Sequence, residues 1–326
     1  MAVLAPEIRS SAPRWLIRHE TLLAAILAVA LAILCVFNEN FLTIGNLLNQ
    51  GRLMTEVGLL ALPMTFIIIT GGIDLSVGSI VGLCAIILGY SWKNLGFPLP
   101  LAIVFAVGVG GVAGFVNGLM ITRVRVPPLI MTIATLALYR GLAEGISQAR
   151  SVRNYPEWFF FLGQGEWLGV PMQLWILLVG IIAAGIVLDR TTFGRTLYAI
   201  GHNETAARFS GLPVDRVKLI IYTLSGLAAG VSAWVLVSRV TTTRSDMGTG
   251  YELDVIAAVV LGGTSIFGGV GTIWGTVIGL VMIQLLKNGL ALTGVKGDAT
   301  IIVIGAVLIA STLIASSLHG RREVAS

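Results

Sequence analysis

A chain of 326 residues that is 56% hydrophobic and only 11% charged carries less than half the charge of a soluble domain, about 25%. Its apolar runs are too many and too long for one globular core, so the chain is not soluble and reads as a polytopic membrane protein. The net charge of +5 is spread over the connecting segments, a pattern that follows membrane topology and excludes a nucleic-acid partner.

Residues 1–20 are polar and basic (Arg9, Arg14, Arg18), so they read as a cytoplasmic N-terminal segment and not as a cleavable signal peptide. Ten membrane segments follow, at about Thr21–Phe37, Leu53–Thr70, Val77–Tyr90, Pro100–Ile121, Pro128–Ile146, Met172–Leu188, Leu219–Ser238, Val255–Phe267, Thr272–Leu286 and Ala299–Leu318. The third and eighth are short. The fold class is therefore all-α: a transmembrane body over 21–318 with short or broken helices, closed by a cytoplasmic tail at 319–326. Cys35 and Cys84 both lie inside apolar runs and read as packing residues, not a disulfide. The 40 glycines suit helices that approach closely.

Charge orients the chain. With the N-terminus inside, the inner segments hold Arg9, Arg14, Arg18, Arg123, Arg125, Arg190, Arg195, Arg208, Arg216, Lys218, Arg321 and Arg322. The outer segments hold Arg52, Lys93, Arg150, Arg153, Arg239, Arg244, Lys287 and Lys296. Twelve basic residues against eight favour both termini in the cytoplasm.

The outer loops differ in character. Ser151–Val170 (SVRNYPEWFFFLGQGEWLGV) is aromatic, which fits an interfacial belt or a platform for an external partner. Arg239–Asp254 carries Asp246, Glu252 and Asp254, and fits either the same partner or a hydrated loop. Arg140 and Glu144, four apart in the fifth segment, fit a pair facing a cavity or a pair snorkelling to water. With Asp74 they are the ionisable groups read near membrane depth.

Asp189–Lys218 is a polar island of 30 residues between two apolar runs. That is long for a connection between packed helices, typically about 4–6 residues, so it is expected to dock onto something. Asn203 is a good N-cap, Glu204 favours the first turn, Gly211 can close the helix in a left-handed conformation, and Pro213 can open the next. About two helical turns over Glu204–Ser210 are expected, lying along the membrane and fit to act as a lever. A partnerless surface helix is the plainer alternative.

Two glycine-rich stretches echo each other. Gly71–Ile80 (GGIDLSVGSI) places Asp74 between apolar runs, and Asp74 or Ser76 could simply cap the third segment. Leu261–Gly275 (LGGTSIFGGVGTIWG) also follows an apolar run that ends in Gly-Gly and leads into a short segment. Paired, interrupted segments point to a solute path in transporters; tight glycine packing accounts for them equally. Asp74, Ser76, Ser79, Gly262, Gly263 and Thr264 are the candidate path or gate residues.

Some chemistry is missing. The four lysines (Lys93, Lys218, Lys287, Lys296) never follow a glycine, so no GK[ST] phosphate loop exists and ATP is not bound that way. There is no H-E-x-x-H and no G-x-S-x-G. An intramembrane metalloprotease or esterase-like enzyme therefore has no support, and no catalytic or metal-binding residue is singled out; the resemblance drawn next implies a non-catalytic subunit, not an enzyme.

Three matches carry a family resemblance: Gly71–Ser79 (GGIDLSVGS), Phe193–Gly211 (FGRTLYAIGHNETAARFSG) and Val259–Gly279 (VVLGGTSIFGGVGTIWGTVIG). The chain resembles permease subunits of bacterial ATP-binding-cassette importers of the ribose/xylose/arabinose/galactose/rhamnose and autoinducer-2 branch, from about Thr21 to Leu318. The resemblance implies an inner-membrane subunit importing a monosaccharide or sugar-like molecule. Its expected partners are an ATPase subunit, a second permease copy or related chain, a periplasmic sugar-binding protein and membrane lipid. ATP and magnesium would sit on the ATPase, with no cofactor on this chain. Glu204–Gly211 resembles the coupling helix, with Glu204, Ala206, Ala207, Arg208 and Gly211 as contacts; Thr205 interrupts the family's E-A-A pattern. The GGID stretch and Arg244–Gly250 (RSDMGTG) lean toward the rhamnose and autoinducer-2 members. The competing functions are a stand-alone secondary carrier for a small polar solute and a membrane scaffold.

Overall fold

The computed structural model describes residues 41–292, together with Gly294, Ile302, Gly305 and Ala306. The expected first segment, most of the tenth and both terminal segments lie outside the described residues. The helices are α1 (Ile44–Ile69), α2 (Val77–Lys93), α3 (Leu99–Leu119, continued by a π-helical turn Met120–Val124), α4 (Pro128–Ser147), α5 (Glu157–Gln164), α6 (Met172–Arg190), α7 (Thr192–His202), α8 (Glu204–Phe209), α9 (Val214–Val240), α10 (Tyr251–Leu261) and α11 (Ile273–Leu292). Between α5 and α6 lies a two-residue hairpin, β1 (Glu166–Trp167) with β2 (Val170–Pro171).

Among the described residues six helices are long and apolar enough to cross a membrane: α1, α3 with its π turn, α4, α6, α9 and α11. Burial sorts them. Every residue of α1 from Thr55 to Ile69 is buried, as expected of a helix apolar on all sides and enclosed by others. By contrast α4 buries only the stripe Thr132, Thr135, Tyr139, Ala143 and Ser147, and α6 only Gln173, Leu177, Ile181, Ala184 and Leu188. Their other faces expose Leu129, Ile130, Ile133, Leu138, Leu178, Val179, Ile182 and Ile186. Such continuous apolar surface belongs against lipid tails.

The hub is α9, which packs on α3, α1, α2 and α5. Its crossing with α3 is made by glycine. A methyl at Gly110 would strike the Gly226 carbonyl, one at Gly114 the Tyr222 carbonyl, and one at Gly226 the Gly110 carbonyl. Gly110/Gly114 and Gly226/Gly230 are spaced as small-xxx-small pairs, which let membrane helices close to backbone contact.

The island is more ordered than expected. Beside the short helix it contains α7, whose N-cap Thr191 accepts a hydrogen bond from Gly194 N. α9 already begins at Val214, not Leu219. The stripe Phe193, Leu197, Ile200 carries the signal, and Leu197 and Ile200 are buried. The eighth segment is also shifted: it runs from Tyr251 to Leu261 and stops at Gly262.

The α3–α9 crossing is testable. Gly226→Ala is expected to cost about 1–3 kcal/mol through overpacking, read as a lower thermal midpoint of the purified protein in detergent. Gly108→Ala, where nothing lies within 4 Å, should leave the midpoint unchanged or raise it.

Candidate functional site

The break between α1 and α2 is buried. Asp74 has no exposed surface. Its Oδ1 accepts from Ser76 N (3.0 Å) and Ser76 Oγ (2.6 Å), and its Oδ2 accepts from Ser225 Oγ on α9 (3.0 Å). Ser79 Oγ donates to Ser76 O. Asn117 Nδ2 of α3 donates to Ser76 Oγ (2.8 Å), and Tyr139 OH of α4 donates to Asn117 Oδ1 (3.3 Å) and Ala113 O. Asp74, Ser76 and Ser79 thus form one network, which ties the start of α2 to α3, α4 and α9. Asp74 lies in the interior, and neither it nor Ser76 caps α2 through a side chain: the N-cap Ser76 makes no capping side-chain bond, and Asp74 bonds Ser76 itself.

A second irregular segment packs on α2. Residues 241–250, expected as part of an external loop, instead run back along α2. Thr243 lies beside Gly89, the Met247 carbonyl beside Gly82, and Gly248 beside Gly78. Thr243 is fully buried and Met247 nearly so. Gly248 and Gly250 have φ of 72° and 84°, which glycine supplies without strain. Arg140 holds the segment: its Nη1 donates to Ser245 O (2.5 Å) and Met247 O (2.9 Å), and its Nη2 to Gly78 O (3.4 Å). The side chain expected to pair with Glu144 therefore serves carbonyls freed by the break. No Arg140–Glu144 ion pair occurs among the described residues. The returning chain then starts α10, whose 11 residues reach only about half of a hydrocarbon core roughly 30 Å thick.

The helix halves away from the island carry polar pairs that hydropathy alone does not signal. Glu56 in α1, fully buried, accepts from Arg239 Nε of α9 at 2.7 Å, and Arg239 also hydrogen-bonds Tyr251 at the start of α10. Lys287 of α11 pairs with Asp254 of α10. Asn46 and Asn288 exchange amide hydrogen bonds (2.8 and 3.2 Å), and Gln284 donates to Gln50 (2.8 Å). The signal was present: Asn46/Gln50 and Gln284/Asn288 are polar residues four apart on apolar helices.

At the island end, two predicted groups converge. α8 has Asn203 as its N-cap, with Oδ1 accepting from Ala206 N (2.9 Å). Gly211 (φ 80°) closes the helix: Gly211 N donates to Arg208 O and Leu212 N to Ala207 O, the paired bonds of a Schellman cap. Ala207 is buried, while Arg208 and Phe209 are exposed. Glu204 takes hydrogen bonds from Arg208 and Lys218, and Arg208 reaches Asp215 at 2.6 Å, clipping α8 to α9. Burial raises the Glu204 pKa, but the hydrogen bonds from Lys218 and Arg208 outweigh it and hold the carboxyl below its ordinary range. Asp215 and Glu204 hold the Arg208 guanidinium above its own.

Gly262 lies against Gly275, Gly263 turns with φ 88°, and the buried Thr264 sits under Gly271. The loop beyond them meets the island: Gly269 N donates to Ile69 O at the end of α1, Tyr198 OH of α7 donates to Gly271 O, and Gly268 lies against Gly71 and Gly201. The two echoing stretches are therefore in contact through Ile69, Gly71 and Gly268, with α7 packed on the junction. Asp74, Ser76 and Ser79 lie in the other network, deeper in the bundle.

The aromatic stretch divides. Phe159 is buried and stacks on Tyr155 (4.8 Å between centroids), which stacks on Trp92 (4.5 Å). Trp158, Phe161 and Trp167 are exposed. α5 is fastened to the end of α9, with Gly163 N donating to Ser238 Oγ and Gln164 to Arg239 O.

Apolar spans whose broken helices meet inside the bundle, with a clipped polar excursion at one end, mark a membrane transport protein. The model of the family described as "Branched-chain amino acid transport system / permease component" matches residues 46–312, and the chain belongs to that family. It is 38% identical over 308 residues to the ribose import permease protein RbsC of Escherichia coli strain K12, covering 92% of this chain and 94% of that protein. It is 40% identical over 292 residues to RbsC of Bacillus subtilis strain 168 (88% and 90%). It is 36% identical over 307 residues to the autoinducer 2 import system permease protein LsrD of Photorhabdus luminescens (92% of each). No solved structure matches the chain. The resemblance to sugar-importer permeases drawn from the motifs holds across the chain, which is a transport subunit and not an enzyme.

Removing one member of a buried ion pair leaves the other charge uncompensated. Glu56→Leu or Arg239→Leu is expected to cost about 3–5 kcal/mol and the double replacement less than either, measured by denaturant unfolding of the purified protein. For Glu204 the depressed pKa stabilises the fold above the unfolded value of about 4.3, and this is lost as pH falls through the folded value. Protection of the Ala207 and Arg208 amides, corrected for intrinsic exchange, should be flat between about pH 8 and 6 and fall only below about pH 4.

Proposed function

We propose that the chain is the transmembrane permease subunit of an ATP-binding-cassette importer in a bacterial inner membrane. It forms the translocation path for a monosaccharide or sugar-like small molecule, and ATP is hydrolysed on a separate subunit. It crosses the membrane about ten times with both termini in the cytoplasm. It works with a second permease subunit, an ATPase that holds ATP and magnesium, and a periplasmic sugar-binding protein that sets selectivity. The solute class follows the relatives' names, which specify ribose and autoinducer 2; the motifs lean toward rhamnose or autoinducer 2.

One observation carries this reading. The loop after α10 is hydrogen-bonded both to the end of α1 and to α7, and α7 adjoins α8, which is clipped to α9. Displacing the island therefore pulls on the broken segments at the same time. In this reading α8 is the coupling helix, with Glu204, Ala206, Arg208 and Gly211 at the ATPase contact; Ala207, expected there from the motif, is buried against the bundle and serves packing instead. The buried Asp74, Ser76 and Ser79 network hinges α2, and Gly262, Gly263 and Thr264 hinge α10 at the path. Such coupling requires the ATPase to bind the outward-open and inward-open states with different affinity.

Vesicles containing the assembled transporter test this. Glu204→Lys or Gly211→Asp is expected to lower ATP-driven uptake by about tenfold or more, with membrane insertion unchanged. Uptake by this chain alone, driven by an ion gradient and insensitive to ATP depletion, would overturn it.

A further inference from the structure

Phe267 is 92% exposed at the tip of the loop between α10 and α11, and the backbone beneath it gives it nowhere to fold away. Gly268 and Gly269 both have positive φ, 90° and 78°. Ser265 N donates to Val270 O and Gly268 N to Ser265 O, closing the turn. Gly269 N then pins it to Ile69 O, and Tyr198 OH pins Gly271 O. Val270 beside it is 48% exposed.

Place in the bundle separates the possible occupants. The exposed apolar faces that suit lipid lie on the sides of α4 and α6. The Phe267 turn is instead pinned to the end of α1 whose residues Thr55 to Ile69 are all buried, away from the apolar sides of α4 and α6. Its neighbour is the His202 end of α7, from which a mostly exposed run leads through α8 to Phe209, itself 90% exposed. An exposed aromatic on a hydrogen-bonded turn, next to α7 and so beside α8, is the kind of side chain that anchors protein contacts.

We infer that the Phe267 turn is a second docking point for the ATPase subunit, its ring entering an apolar recess of that partner. This rests on the proposed importer function. The division of labour follows from connectivity: α8 is clipped to α9, whereas the Phe267 turn is continuous with α10 and α11. The ATPase thereby holds the half-helix α10 directly.

The test uses the complete transporter in vesicles. Phe267→Ala is expected to lower solute uptake and binding-protein-stimulated ATP hydrolysis by about tenfold, while Phe267→Leu, which still fills an apolar recess, retains more than half. In a Cys35→Ala, Cys84→Ala background, Phe267→Cys carrying an environment-sensitive fluorophore should shift to shorter wavelength when the ATPase subunit is added and resist quenching by brominated lipid. Quenching by brominated lipid with no response to the ATPase would make the turn a lipid anchor and overturn the inference. Uptake by Phe267→Ala equal to that of the unaltered chain, with both still dependent on the ATPase, would overturn it equally. Uptake that never depended on the ATPase would sink the importer reading itself, and this inference with it.

Discussion

A backbone N–H or C=O buried at membrane depth must find a partner within the protein, and this constraint governs every irregular segment of the fold. Between α1 and α2 it is met by the Asp74 carboxylate, which accepts from the Ser76 N–H and is itself held by Ser76 and Ser225 hydroxyls. Along residues 241–250 it is met by Arg140, whose guanidinium gathers carbonyls from the returning chain and from α2. These two charged side chains are expensive groups to bury, and each occupies a position where backbone has been freed.

Glycine provides the second condition. Where α3 and α9 cross, and where α10 meets α11 at Gly262 and Gly275, a methyl group would fall on a carbonyl of the partner helix. Contact at this distance holds the paired helices backbone to backbone. The turn that joins α10 to α11 is fastened to α1 and α7, so both breaks and the polar island share one end of the bundle.

Much of this could be read in the residues themselves. The apolar runs, the cap signals of Asn203 and Gly211, and the Gly-Gly stretches were visible because each is a local property of backbone and solvent. α7 carries a helical stripe of Phe193, Leu197 and Ile200, but it is only 11 residues long and lies inside a polar stretch, so hydropathy does not mark it. Glu56 was passed over because it sits in a run otherwise apolar; its partner Arg239 is far along the chain. The Arg140–Glu144 spacing suggested a pair, but neighbours in sequence lost to carbonyls brought in from elsewhere.

The membrane class, the capped short helix and the family are legible in the residues, since hydropathy, capping and motif spacing act over a few residues; of the ten expected spans, six are long and apolar enough to cross a membrane among the described residues. Only the tertiary structure decided that residues 241–250 turn back along α2, that Asp74 bonds Ser225, that Glu56 meets Arg239, and that the two glycine stretches touch beside α7. Those contacts join segments far apart in the chain, and what selects them is the need to satisfy buried polar groups with whatever partner the packing brings near.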